Sequence, residues 1–212
     1  MTGKLKYDPL NIVICGVGGQ GNILASELLG SALVENGYIV TMGETYGASQ
    51  RGGSVMSHIR ITEHLELGVL IPDHEAHIIV GFEPLETLRM MRQFGNSDTF
   101  VIFDNRPVYP IEVLGGEKTY PPVDEIVAEL KKYCKRALIV PAAEIALSAG
   151  TGKVANIILM GALTALDALP LSKEDFSQTI KHRFQGDVLK VNLDVFERGS
   201  GALISQLQKG GN

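Results

Sequence analysis

The segment Gly16-Val17-Gly18-Gly19-Gln20-Gly21 separates an apolar run, Leu10–Cys15, from a helix-patterned stretch running from Ile23 to Val34. Glycine takes positive φ without steric cost and leaves room for close backbone approach. A turn of this kind between a buried strand and a helix therefore presents bare N–H groups, and the helix dipole behind it favours an anion. The spacing reads G-x-G-x-x-G, which in a strand–turn–helix context is the dinucleotide-binding pattern.

Downstream, apolar runs alternate with helical patterns, which predicts an α/β domain with a largely parallel sheet flanked by helices. After Leu10–Cys15, strands are expected at Tyr38–Met42, Ser54–Ile61, His77–Val80, Thr99–Phe103 and Ala137–Val140. Ser54–Ile61 alternates, with Val55, Ser57, Ile59 and Ile61 on one face and Ser54, Met56, His58 and Arg60 on the other. Helices are expected at Val123–Cys134 and, beyond Pro141, at Ala142–Ala149, Val154–Ala168, Lys173–His182 and Val188–Gln208. Ser172 and Asp175 have the spacing of a capping box. Arg106–Pro122 holds four prolines and two glycines and reads as an irregular excursion. The chain thus divides into a flexible N-terminus (1–9), one domain (10–208) and a short tail (209–212), with a helical C-terminal part.

A second loop, Glu44-Thr45-Tyr46-Gly47-Ala48-Ser49-Gln50-Arg51-Gly52-Gly53, follows the second strand. In a dinucleotide-binding domain an acidic residue about 20 positions past the turn takes the ribose hydroxyls, a role open to Glu44. Arg51 beside two glycines places a guanidinium fork on a backbone free to fold around a carboxylate or phosphate. The same arginine would equally pair with Glu44 or a partner's carboxylate and fix the loop. His58 and Arg60 share a strand face and would extend an electropositive site, or serve the fold. Asp73-His74-Glu75-Ala76-His77 has no metal-binding His spacing of the H-E-x-x-H kind. Ser54 and Ser57 lack the nucleophile elbow G-x-S-x-G.

Charge and cysteine content narrow the function classes. A formal net charge of −5 argues against nucleic acid as a partner. No apolar run approaches the roughly 20 residues that span a bilayer, and the polar Met1–Pro9 lacks a signal-peptide core. A cytoplasmic location is expected. There are two cysteines, Cys15 and Cys134, whereas an iron–sulfur cluster takes about four cysteine ligands, or two with two histidines. Electrons handled by this protein would travel on another polypeptide or on an organic cofactor.

Taken together, the segments GVGGQGNILASELL (16–29), GETYGASQRGGSVMSHIRI (43–61), VGFEPLETLR (80–89), VANIILMGAL (154–163) and VNLDVFERG (191–199) resemble the gamma-type subunit of 2-oxoacid:ferredoxin oxidoreductases. The QRGGSVMSH form is most similar to the small (beta) subunit of the indolepyruvate enzymes. The resemblance implies a Rossmann-like three-layer fold over residues 10–208. It also implies a complex that converts a 2-oxoacid, CoA and oxidised ferredoxin into acyl-CoA, CO2 and reduced ferredoxin. Thiamine diphosphate and the iron–sulfur clusters would lie on a large partner subunit, CoA would be a co-substrate of the complex, and no cofactor would be held by this chain. Gly16, Gly18, Gly19, Gln20 and Gly21 match the family's glycine turn. Glu44, Gly47, Gln50, Arg51, Gly52, Gly53 and Ser54 match its second loop, and Asn156 and Gly161 match a later helix. On this reading Gly18–Gly21, Glu44 and Gln50–Ser54 contact an anion of the substrate or CoA, with no catalytic side chain and no metal in this chain. Alone, the chain would be inactive and would pair with itself in place of its partner. Two other readings remain at this point: a free-standing NAD- or FAD-binding oxidoreductase, and a scaffold whose glycine turn serves only packing.

Overall fold

The computed structural model describes residues 5–46 and 53–209, so Gly47, Gln50, Arg51 and Gly52 lie outside the described residues. In chain order the elements are β1 (Leu10–Val17), α1 (Asn22–Glu35), β2 (Ile39–Tyr46), β3 (Ser54–Thr62), β4 (Ile78–Gly81), α2 (Pro84–Phe94) and β5 (Phe100–Phe103). There follow α3 (Ile111–Leu114), α4 (Val123–Tyr133), β6 (Arg136–Ile139), α5 (Ala142–Ser148), α6 (Ala155–Thr164), α7 (Lys173–Arg183) and α8 (Gly186–Lys209).

The six strands form one sheet in the order β2-β3-β1-β4-β5-β6. β1, β4, β5 and β6 are mutually parallel. β3 is antiparallel to both neighbours, so it alone runs against the other five. The largely parallel sheet expected from the alternation is therefore present, with one reversed strand inserted between β1 and β2. β1 is buried along its whole length, as a central strand covered on both faces must be.

Side chains alternate across β1 and sort the core into two layers. Ile12 and Ile14 face Leu28 and Leu29 of α1 and the apolar helix α6. Val13 and Cys15 face Met90, Met91 and Phe94 of α2 and Ile126 and Leu130 of α4. The result is three layers, as the resemblance implies.

Local signals set the helix ends. Glu83 caps α2 through the Glu86 amide at 2.8 Å, with Pro84 in the first turn. The Ser172–Asp175 capping box is present at α7. α6 stops at Thr164, short of the expected Ala168, and β2 continues beyond Met42 to Tyr46 because it pairs with β3 throughout. Gly161 of α6 and Gly199 of α8 let these helices touch backbone to backbone. A Cβ on either would lie 2.0 Å from a carbonyl oxygen of the other helix, that of Phe196 or Ile158.

Candidate functional site

The glycine turn is held by its own glutamine. Gln20 Oε1 accepts the Val17 amide at 2.7 Å, and Gln20 Nε2 donates to the Phe82 carbonyl at 2.9 Å, just past β4. Gly16 makes room for this arrangement, since a Cβ there would sit 2.7 Å from both Gln20 Oε1 and Phe82 Cβ. Gly19 and Gly21 carry φ of 98° and 86°, the left-handed region that favours glycine. Gly21 is the N-cap of α1, with no side-chain cap and no acidic residue in the first turn. The opening turn of α1 thus keeps its donors and its positive dipole end for an incoming anion.

The second loop meets this turn at its far end. The Gly18 amide donates to the Gly53 carbonyl at 2.9 Å, and Ser54 stands opposite Val17 in the β1–β3 register. Gly18, Gly19, Gln20 and Gly21 are accordingly brought together with Gly53 and Ser54. Glu44 is not. It pairs with Ser57, and the whole of β3 lies between it and β1. Two strand spacings amount to roughly 10 Å, so the ribose role considered for Glu44 loses its geometry. The insertion of β3 between β1 and β2 makes this separation, because alternation along a strand carries no sign of which neighbours it takes.

His58 and Arg60 serve the fold. They point to the α2 side of the sheet, where His58 Nδ1 accepts the Ile71 amide at 3.3 Å and Arg60 Nη1 donates to the Gly68 carbonyl at 2.9 Å. Burial holds the His58 imidazole below its ordinary pKa, and the neighbouring Arg60 charge adds to the effect. His77 Nδ1 accepts the Asn11 amide at 3.1 Å, and Tyr7 stacks on its ring at 4.2 Å. His74 Nδ1 lies 3.0 Å from the Gly95 carbonyl. These histidines are committed to the backbone.

Beside the glycine turn, at the C-terminal ends of the parallel strands, opens a cleft of about 580 Å³. This is where open α/β sheets place ligands. Gly19, Gln20 and Gly21 form one wall, Asp104 and Arg106 after β5 form the second, and Lys153 and Asn156 at the start of α6 form the third. Asn156 Nδ2 donates to the Gly21 carbonyl at 3.4 Å, linking α6 to the turn. Asp104 is 4% exposed and accepts the amides of Ala143 at 3.0 Å and Arg106 at 3.3 Å. Burial raises its carboxyl to about 6, against the opposing pull of those two hydrogen bonds and the Arg106 charge.

The irregular segment after Asp104 is tied down by Glu83. Its carboxylate accepts the Val108 amide at 3.4 Å and a close hydroxyl from Tyr120, and Tyr109 packs edge-on against Tyr120. An apolar groove of about 450 Å³ adjoins the cleft and shares Leu24, Lys153 and Asn156 with it, walled further by Phe184, Val188 and Val191. Charged recess and apolar groove together suit an elongated ligand with an anionic end. Asp104, Arg106 and Lys153 were absent from the sequence reading. The available signal was an acidic residue at the end of a parallel strand, followed by a proline-rich excursion.

Residues 11–202 match the family described as pyruvate ferredoxin/flavodoxin oxidoreductase. The chain belongs to that family. It is similar to indolepyruvate oxidoreductase subunit IorB of Archaeoglobus fulgidus, 36% identical over 92% of this chain and 96% of the relative. Its fold matches a 2-oxoglutarate:ferredoxin oxidoreductase from Magnetococcus marinus with 2-oxoglutarate, coenzyme A and succinyl-CoA bound, at a TM-score of 0.72 and 20% identity. That match covers 94% of this chain and 32% of the longer one. It also matches the gamma subunit of a keto/oxoacid ferredoxin oxidoreductase from Geobacter sulfurreducens, at a TM-score of 0.66 and 20% identity, over 92% of this chain and 99% of that subunit. Among the described residues no helix is long and apolar enough to cross a membrane.

Proposed function

We propose that this chain is the small subunit of a heteromeric 2-oxoacid:ferredoxin oxidoreductase of the indolepyruvate class. The near full-length likeness to a small indolepyruvate oxidoreductase subunit carries the reading. The donor chemistry of the chain agrees with it. Its two cysteines are Cys15, which is fully buried with its thiol pushed up chiefly by desolvation, and Cys134, whose thiol burial also raises. Neither favours the thiolate that cluster ligation needs. Thiamine diphosphate and iron–sulfur clusters belong to the large subunit, where they supply the decarboxylation and electron-transfer chemistry.

The part left to this chain is binding. The uncapped first turn of α1, with Arg106 and Lys153 across the cleft, receives the phosphates of CoA, and the adjoining apolar groove takes its less polar arm. Gly18–Gly21 and Gly53–Ser54 shape the mouth of that cleft. Gln50, Arg51 and Gly52 lie outside the described residues; Arg51, two positions before Gly53 in the sequence, is the candidate for a further anion contact. Asp104 holds the cleft wall by fixing the amides of Arg106 and Ala143.

The test is reconstitution with the large subunit and assay of 2-oxoacid-dependent ferredoxin reduction. Turnover is expected only when this chain is present, and an unchanged rate in its absence overturns the reading. Arg51→Ala separates a binding role from scaffolding. An intact complex with a raised KM for CoA supports the binding role, whereas loss of assembly points to a scaffold.

A further inference from the structure

Gln20 ties the glycine turn to the Phe82 carbonyl, and the next residue, Glu83, ties down the second wall of the cleft. The Phe82–Glu83 corner at the end of β4 thus stands between the two walls. It is itself fixed to the sheet, since the Phe82 amide donates to the Cys15 carbonyl at 2.8 Å.

Glu83 is 1% exposed, and the hydrogen bonds to its carboxylate all come from neutral groups. Burying a carboxylate without a cation beside it is costly, and burial raises this carboxyl's pKa against the opposing pull of Tyr120 and the two amides. Capping α2 occupies one oxygen only. Oε2 accepts the Glu86 amide, a bond that an aspartate or a serine would also make. Oε1 serves another purpose. It accepts the Val108 amide and the Tyr120 hydroxyl, one on each limb of the excursion between β5 and α4. Tyr109 packs edge-on against Tyr120, ring centroids 5.2 Å apart, and closes the limbs on each other.

The excursion holds itself only locally. Its own backbone bonds run from Val113 and Leu114 to Pro110 and from Gly116 to Val113. Arg106 is gripped from both sides instead. Asp104 accepts its amide at 3.3 Å, and Glu83 accepts the amide two residues later at 3.4 Å. Arg106 is exposed and lines the cleft together with Pro107 and Val108, whereas Glu83 and Tyr120 stand behind that wall.

We propose that Glu83 and Tyr120 are positioning residues: they clasp the 105–122 excursion so that Arg106 faces the glycine turn across the cleft, and they thereby set the affinity for CoA. This rests on the CoA role proposed above for the cleft. Both side chains act through Arg106.

The test uses the complex reconstituted with the large subunit, with CoA affinity read by calorimetry alongside KM and kcat. Tyr120→Phe removes only the hydroxyl. Glu83→Asp keeps a cap for α2 and draws the carboxylate back by one methylene from Val108 and Tyr120. Each should weaken CoA binding about three- to tenfold, comparable with the loss of one hydrogen bond, with the loss falling on KM and not on kcat. In an Arg106→Ala background both effects should vanish, because no guanidinium is left to place. Effects that persist in that background overturn the inference, as does unchanged CoA affinity in both variants where Arg106→Ala alone weakens binding. If both variants fail to fold by circular dichroism, the clasp serves stability and the inference is overturned too. An Arg106→Ala complex that binds CoA as tightly as the native one overturns the reading of the cleft, and the role of the clasp with it.

Discussion

Gln20 reaches back across the turn it belongs to and donates to the Phe82 carbonyl at 2.9 Å, joining the end of β1 to the end of β4. With the Val17 amide on its other amide atom, one side chain replaces the backbone bonds that a tight glycine turn forgoes. Gln20→Ala should cost about 1–3 kcal/mol, since it leaves the Val17 donor and Phe82 acceptor without partners in a part-buried site. Urea unfolding measures this, and an unchanged midpoint would show that water replaces both bonds.

Gly21 combines a φ of 86° with a neighbour that leaves no room, as a Cβ there would lie 2.8 Å from Asn156 Nδ2. Gly21→Ala should destabilise by roughly 1–2 kcal/mol from the left-handed backbone alone, with the Asn156 clash in addition. In a double-mutant cycle with Asn156→Ala only the clash should be recovered. Full recovery would mean that the backbone at Gly21 relaxes freely.

Much of this architecture is legible in the residue pattern, and the rest is absent for a physical reason. Strand and helix positions show because burial imposes periods of 2 and 3.6, and Pro84 and the Ser172–Asp175 box mark helix starts through their own chemistry. The turn shows because its glycines are needed for conformation and for close approach. The place of β3 between β1 and β2 does not show, since an inserted strand alternates like any other, and the separation of Glu44 from the glycine turn stays hidden with it. Asp104, Arg106 and Lys153 form one cleft with Gly19–Gly21 only because the sheet places β1, β4 and β5 side by side. Sequence distance hides such a set.

Asp104 gives stability a distinct pH dependence. Burial pushes its carboxyl up from the ordinary aspartate value of 3.8 to about 6, so the native state holds this proton more tightly than the unfolded chain. The resulting stabilisation is fully present below the unfolded value and is lost as pH rises from about 4 to about 6, at roughly 1.4 kcal/mol per unit of difference. Relative to Asp104→Asn, the native protein should therefore lose stability across that window. Carbon-13 NMR titration of the carboxyl provides the direct check, and a midpoint near 4 would show the group to be well solvated.

Arg106 and Lys153 are exposed charges on opposite walls of the cleft, so their removal should barely affect folding. If they receive phosphate, each substitution by alanine should raise the KM for CoA by about 10- to 100-fold, the range for a hydrogen bond to a charged group. Turnover at saturating CoA should stay close to that of the native complex, because this is binding lost equally from ground and transition states. A fall in turnover with KM unchanged would move these side chains from binding to the reacting atoms.

Gly161 and Gly199 set how closely α6 and α8 approach, and α6 also supplies Asn156 to the cleft. Gly161→Ala would push a methyl group into the Phe196 carbonyl, where backbone gives way less easily than a side chain. Overpacking of this kind costs about 1–3 kcal/mol. Separation of the helices should also shift Asn156 away from the Gly21 carbonyl. The variant is therefore expected to pair a lower Tm with a raised KM for CoA, whereas Gly201→Ala, at a position of α8 with open space around it, should leave the KM unchanged and raise the Tm slightly through its better helix propensity.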